Sequence, residues 1–230
     1  MSNKKLSELV HHAGSRLLSS TVYRKIVVDQ FHWLYYNSPE TWLTTSWMGI
    51  PTQKCPLDMW IYQEIIFKTK PDLLIETGTA YGGSALFFAT FMDTIGHGHV
   101  ATVDVLDVPG RPQHPRITYL LGSSTSEESI ERIRQMAENA DSIMVILDSD
   151  HSRDHVAKEL RLYCDLVTPG NYLVVEDSNV NGHPVNRTHG PGPMEALGEF
   201  LATNSDFSID SYQERYMMTF NPKGYLKRAE

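Results

Sequence analysis

Residues 71–90 read PDLLIETGTAYGGSALFFAT, and no other stretch restricts the fold of this chain as much. Leu73, Leu74 and Ile75 form a short apolar run after a proline, the pattern of a strand buried on both faces of a parallel sheet. The run ends in a charge, Glu76. Gly78, Gly82 and Gly83 then supply a tight turn in which backbone approaches a ligand, and residues 84–91 carry apolar side chains at helical spacing. Strand, glycine turn and helix in that order mark the ligand edge of a doubly wound α/β sheet.

The alternation continues toward the C-terminus. Strands are expected over residues 73–76, 100–105, 117–121, 143–147 and 172–175, and helices over 84–95, 127–140 and 154–167. Each crossover is long enough for the strands it joins to run parallel. A loop rich in Gly, Pro, His and Asn over 178–193 leads to a helix over 194–202. Two β-like runs, 207–211 and 216–220, have no helix between them and are expected to form an antiparallel hairpin at the sheet edge. Residues 71–230 thus read as one globular unit with a Rossmann-like, mostly parallel sheet, and residues 1–70 as a helical extension.

In that extension, Ser20 or Thr21 caps a helix through Tyr36. Phe31, Trp33, Leu34, Tyr35 and Tyr36 make it too apolar for a free surface, so it is expected to pack on the sheet or on a neighbouring subunit of a homo-oligomer, with a substrate wall as the alternative. A loop over 44–56, holding Trp47 and Met48, is a candidate lid and leads into a helix over 58–67.

A hydrophobic content of 41% in 230 residues is enough for one sizeable core. The net charge of -8 argues against a nucleic-acid or anionic-membrane surface and leaves a small molecule as the expected partner. Cys55 and Cys164 are far apart and offer neither a disulfide framework nor a CxxC metal site, which fits a reducing cytoplasm. The N-terminus lacks the apolar core of a signal peptide, and no run has the length to cross a bilayer.

Acids at the strand ends carry the chemistry. The order Glu76, Thr77, Gly78, Thr79, Ala80, Tyr81, Gly82, Gly83, Ser84 departs from the dinucleotide G-x-G-x-x-G spacing. A carboxylate there would repel a pyrophosphate but suits a ligand bearing an ammonium or sulfonium charge. Asp104 ends the next strand, where a carboxylate accepts hydrogen bonds from ribose hydroxyls. Together they point to S-adenosylmethionine rather than NAD. Gly78, Tyr81 and Ser84 on the turn, Asp148, and Ser123 and Ser124 where an adenine edge would lie complete the expected cofactor contacts. Equally well, Ser124 or Ser126 simply caps the following helix.

Four more acids follow: Asp148 and Asp150 in LDSDHS, Glu176 and Asp177 in VVEDSN. Converging at neighbouring strand ends, they would repel one another unless protonated or bridged by a cation. All-oxygen ligation favours Mg²⁺, with Mn²⁺ and Ca²⁺ as alternatives. Spacing leaves open whether Asp148 or Asp150 is the ligand. His151 and His155, four apart, admit an iron site and hence an oxygenase. His183 and His189 lie in the loop that follows the acid pair and is expected to wall the site. His151, His183 and Asp148 are the candidate catalytic groups, an imidazole serving as general base.

With these residues in view, the chain resembles the cephalosporin hydroxylase family, which also includes macrolide rhamnosyl O-methyltransferases. The resemblance rests on KPDLLIETGTAYGGSALFFA, ILDSDHS, YLVVEDSNVNGHPV and GPGPMEA, and runs from about Trp47 to Phe220. It implies a class I S-adenosylmethionine-dependent methyltransferase fold with a Mg²⁺ site, similar in layout to catechol-type O-methyltransferases. The implied acceptor is a hydroxyl of a small natural product such as a sugar or antibiotic intermediate. By position the resemblance points to Asp150, Glu176 and Asp177 as metal ligands, with Glu76, Gly78 and Asp104 on the cofactor. Two departures stand out. Glu-Asp replaces the Asp-Asn usual in catechol-type enzymes, and their metal aspartate corresponds as well to Asp148 as to Asp150. A metal-dependent hydroxylase and a non-catalytic cofactor-binding partner in a biosynthetic complex are the competing expectations.

Overall fold

A computed structural model describes residues 21–230, in two units that meet between Ser38 and Pro39. The first part of the expected extension falls on residues 1–20 and lies outside the described residues. In the first unit, helix α1 (Thr21–Asn37) follows the expected span, with an ion pair between Lys25 and Asp29 one turn apart at 2.6 Å. Val22, Phe31, Trp33 and Leu34 on it are exposed.

The second unit begins with a short ladder, β1 (Ser46–Trp47) against β2 (Ile50–Pro51), and helix α2 (Pro56–Thr69), so the boundary expected at residue 70 falls inside this unit. Then come β3 (Leu73–Thr77), α3 (Gly83–Ile95), β4 (His99–Asp104), β5 (Ile117–Leu121), α4 (Glu127–Ala137), β6 (Ile143–Leu147), α5 (Arg153–Tyr163), β7 (Tyr172–Val175), α6 (Pro193–Thr203), β8 (Phe207–Ile209) and β9 (Tyr225–Arg228). The β1–β2 ladder escapes sequence reading because two residues per strand show no period.

Seven strands form one sheet in the order β5-β4-β3-β6-β7-β9-β8. β3 pairs in parallel with both β4 and β6, so the winding reverses between β3 and β6, and ligands bind beyond the strand ends at such a reversal. Alternate side chains go to opposite faces. Leu73, Ile75, Val145, Leu147 and Val175 pack with Ile133, Leu160 and Leu197 of α4, α5 and α6. Leu74, Met144, Ile146 and Val174 pack with Ile61, Ile65, Phe88 and Met92 of α2 and α3. The parallel strands are therefore apolar on both faces, which is why their sequences run without polar alternation.

The antiparallel C-terminal hairpin is present, but its second strand is not residues 216–220. That strand is β9, which lies between β7 and β8 and runs antiparallel to each. Residues 218–220 are instead drawn inward by Asp58 of α2, whose carboxylate accepts from Thr219 Oγ1 (2.5 Å) and the Phe220 amide (2.8 Å). A backbone amide bonded to a buried carboxylate is lost to a ladder.

Candidate active site

Register explains how the acids meet. Leu147 of β6 lies beside Val175 of β7, so the residues one step beyond the strands, Asp148 and Glu176, leave the sheet side by side. Both continue the face shared with Glu76, toward α2 and α3. Between them sits the ammonium of Lys54, with Nζ 2.5 Å from Asp148 Oδ2 and 2.6 Å from Glu176 Oε1. Glu176 Oε1 also accepts from the buried Tyr62 hydroxyl at 2.8 Å. Beyond them, one ligand atom each from Asp148, His151 and Asp177 lie within 4.8 Å of one another, the one such group among the described residues. His151 Nε2 is 3.0 Å from Asp177 Oδ2 and 3.8 Å from Asp148 Oδ1.

The electrostatics follow from crowding in a dry site. Burial pushes the carboxyls of Asp148, Glu176 and Asp177 above the usual carboxylate range, each also facing another acid, while Lys54 pulls them back. Burial lowers the Lys54 ammonium, yet Asp148, Glu176 and Glu76 together hold it well above the ordinary lysine range. His151 is lifted in the same way: burial lowers it, and Asp177 and Asp148 more than reverse that. This donor set, carboxylates with one imidazole, fits a hard divalent cation, which would relieve the surplus of negative charge.

The glycine turn lies against this group. Gly78 has φ +86°, and a Cβ placed there would stand 1.9 Å from the Asp148 carbonyl oxygen, so only glycine lets β3 turn so close to the end of β6. Gly83 is crowded from the other side: its Cβ would meet the Pro51 carbonyl oxygen at 2.2 Å, because the β1–β2 tip rests on the start of α3. Trp47 anchors that tip through Phe87, at 4.9 Å between ring centroids, and through its Nε1 to Thr90 Oγ1 (3.2 Å). The loop holding Trp47 and Met48, expected as a lid, thus packs through Trp47, while Met48 is exposed.

Glu76 is wholly buried, with Oε2 accepting from the Thr102 hydroxyl (2.7 Å) and Oε1 without a hydrogen-bond partner. Burial raises its carboxyl to about 7 despite the pull of Lys54. An orphaned acceptor in this position fits a ligand that brings a cationic donor. Asp104 is occupied more than sequence suggests. Its Oδ2 accepts from the amides of Thr79 (2.9 Å) and Ala80 (2.8 Å), and its Oδ1 from that of Leu106 (2.9 Å). Of roughly four acceptor sites on a carboxylate, three are used, which leaves capacity for one ribose hydroxyl rather than two. Ser84 is buried on α3 and Tyr81 is exposed on the turn.

Other expected residues go elsewhere. Asp150 stands outside the acid group: its Oδ1 accepts the Ser152 amide (2.7 Å) at the start of α5, and the Ser152 hydroxyl first and its amide second hold the carboxyl below the usual range. Two steps past the strand, it serves the helix start rather than the sheet edge. His183 Nε2 is 3.0 Å from Glu195 Oε1, and Glu195 also accepts from Asn181 and from the Gly192 amide. Against the cost of burial, those contacts hold the Glu195 carboxyl down to about 2. His189 contacts the Gly190 carbonyl (3.2 Å). Ser124 Oγ meets His155 Nε2 at 3.1 Å, and Ser123 Oγ meets Thr125 Oγ1 at 3.3 Å. His155 also faces Ser149 and Glu159, so it does not join His151 as a two-histidine iron site built on that pair would require, and His189 acts on Asp177 only electrostatically. Sequence reasoning missed Lys54, Tyr62 and Asp58, which reach the site from the segment before the sheet.

A reversing parallel sheet with a glycine turn at one strand end and an acid group at the next two defines a class I methyltransferase layout. Solved structures share that fold. Apo CmcI is 21% identical with a TM-score of 0.63, covering 82% of this chain and 77% of its own. CmcI with Mg and SAM is 20% identical with a TM-score of 0.62, covering 82% and 78%. An O-methyltransferase from Bacillus cereus in complex with SAH is 17% identical with a TM-score of 0.51, covering 87% and 88%. In sequence, the rhamnosyl O-methyltransferase of Mycobacterium leprae is 41% identical over 219 residues, 92% of this chain and 95% of that protein. The one of Mycobacterium bovis is 42% identical over 210 residues, 88% and 85%.

The family profile described as Rhamnosyl O-methyltransferase/CmcI matches residues 39–229, a wider span than the motifs alone mark. The chain belongs to the rhamnosyl O-methyltransferase/CmcI family and is an S-adenosylmethionine-dependent O-methyltransferase.

Proposed function

We propose that the chain methylates a hydroxyl of a small glycosylated natural product, using S-adenosylmethionine and a divalent cation, Mg²⁺ by preference. The observation that carries this reading is the convergence of Asp148, His151 and Asp177 within 4.8 Å beside Glu176. The names of the relatives support a sugar hydroxyl as the acceptor, and the Mg and SAM held by a structure of this fold support the cofactor pair.

The residues divide the work as follows. S-adenosylmethionine supplies the methyl group, and Glu76 with Asp104 would hold its cationic and ribose parts. A divalent cation would supply the charge that acidifies an acceptor hydroxyl, and Asp148 and Asp177, with Glu176, would hold it. Asp148 takes this place in preference to Asp150 because it is the member of the pair that faces Asp177 here. His151 Nε2 is assigned the acceptor proton. Its two carboxylate neighbours make it a stronger base than free histidine, and His183 is engaged by Glu195. Most of the rate enhancement then comes from orientation, since the turn and the acid group are packed rigidly against each other. Two buried free thiols, Cys55 and Cys164, support a cytoplasmic setting, and the apolar face of α1 supports self-association.

The deciding experiment is methyl transfer to a panel of rhamnosides and other glycosides, with and without Mg²⁺ after EDTA treatment. Activity that needs the cation and falls by about a hundredfold or more in Asp177→Asn is expected. Turnover indifferent to both EDTA and that substitution would end the proposal.

A further inference from the structure

Lys54 is 4% exposed and sits where two carboxylates from different strands face each other. Its backbone is pinned: the Lys54 amide donates to Thr45 Oγ1 (3.1 Å) and the Thr45 hydroxyl donates to the Lys54 carbonyl (3.1 Å). Thr52 Oγ1 donates to the same Thr45 oxygen at 3.1 Å, and Pro56 starts α2 two residues later. A lysine held this firmly at its root cannot leave the site, but its four-carbon stem lets the ammonium move.

The acids outnumber the cations around it. Glu76, Asp148, Glu176 and Asp177 are four acids, and the basic groups that act on them among the described residues are Lys54, His151 and, at Asp177, His189. Two of the carboxylate oxygens a divalent cation would want, Asp148 Oδ2 and Glu176 Oε1, are already taken by Nζ. Glu176 Oε1 is taken twice, since Tyr62 donates to it as well. Beside Lys54 lies a cavity of about 440 Å³ walled by Trp47, Trp60, Phe87 and Phe91, and a displaced ammonium is received well by aromatic faces.

We infer that Lys54 is the resident counter-cation of the acid group, and that a divalent cation binds by dislodging its ammonium from Asp148 and Glu176. Lys54 thereby acts as a positioning residue with two effects. It keeps the carboxylates assembled while no other cation is present, and it weakens their hold on an incoming one. The inference rests on the proposed cation site.

The test is Mg²⁺ binding by calorimetry to the EDTA-stripped wild-type protein and to Lys54→Gln, with circular dichroism to establish the fold. The variant should bind Mg²⁺ about tenfold or more tightly, because a like charge has been removed from beside the ion, and Mg²⁺ should raise its Tm further than that of the wild type. Equal or weaker binding by the folded variant overturns the inference and leaves the cation site standing. No binding by either protein overturns both. If Lys54→Gln does not fold, the wild type decides alone: with ¹³C-labelled lysine, the resonance of the buried Lys54 Cε must shift in step with Mg²⁺ saturation. A resonance that stays in place while Mg²⁺ binds overturns the inference.

Discussion

Lys54 reaches across 94 residues to Asp148 and 122 to Glu176, and nothing near it in TQKCP marks it as other than a surface lysine. A lone lysine in a polar loop carries no period, and its role exists only once two strand ends stand beside it. Asp148 and Asp150 show the opposite case, since both were visible as candidates and only strand register separates them. Asp148→Asn should weaken Mg²⁺ binding about tenfold or more and Asp150→Asn less than about threefold, measured by calorimetry; the reverse order would return the ligand role to Asp150. Asp58, at the border of the acid group, offers a pH test. Burial raises its carboxyl to about 6 although Thr219, Phe220 and Tyr225 donate to it. A carboxyl whose folded value lies above its unfolded one, near 3.9, gives stability that is present below that value and lost as pH rises through 6. The loss is at most about 3 kcal/mol at ~1.4 kcal/mol per pH unit, and Asp58→Asn should lack it in urea titrations at pH 4 and pH 7. Identical pH slopes in the two proteins would refute the assignment.

At the level of elements, the glycine turn was the most legible feature, because close backbone approach leaves a mark in sequence that only glycine can supply. Gly78 and Gly96 share a positive φ but differ in surroundings: a Cβ on Gly78 meets the Asp148 carbonyl, while one on Gly96 meets nothing within 4 Å. Gly78→Ala should therefore lose about 3 kcal/mol or more of stability in urea titrations and most binding of S-adenosylhomocysteine. Gly96→Ala should lose only about 1 kcal/mol and bind normally. Comparable losses at both positions would mean that the turn is not packed against β6. The C-terminal hairpin was legible as an element but not in its register. Residues 216–220 have strand-like composition, yet Asp58 holds their backbone, and the ladder forms from Tyr225 and Leu226, both buried.

For the whole sheet, the strand furthest along the described residues is not an edge. β9 lies between β7 and β8, so the sheet is complete only when residues 225–228 insert. A chain ended after Pro222 would leave the β7 edge from Tyr172 to Val174 unpaired, and it should be recovered as aggregate, judged by size-exclusion chromatography and far-ultraviolet circular dichroism. A folded monomer of that length would contradict this account. From the amino-acid order alone came the wound sheet, the glycine turn and the acids at the strand ends, since apolar period, turn chemistry and chain punctuation are local properties. The placing of Asp148 rather than Asp150 beside Asp177, the partial occupation of Asp104 by backbone amides and the arrival of Lys54, Tyr62 and Asp58 came only with tertiary structure. They depend on register between strands and on contacts between residues far apart along the chain, and neither leaves a periodic trace in the sequence.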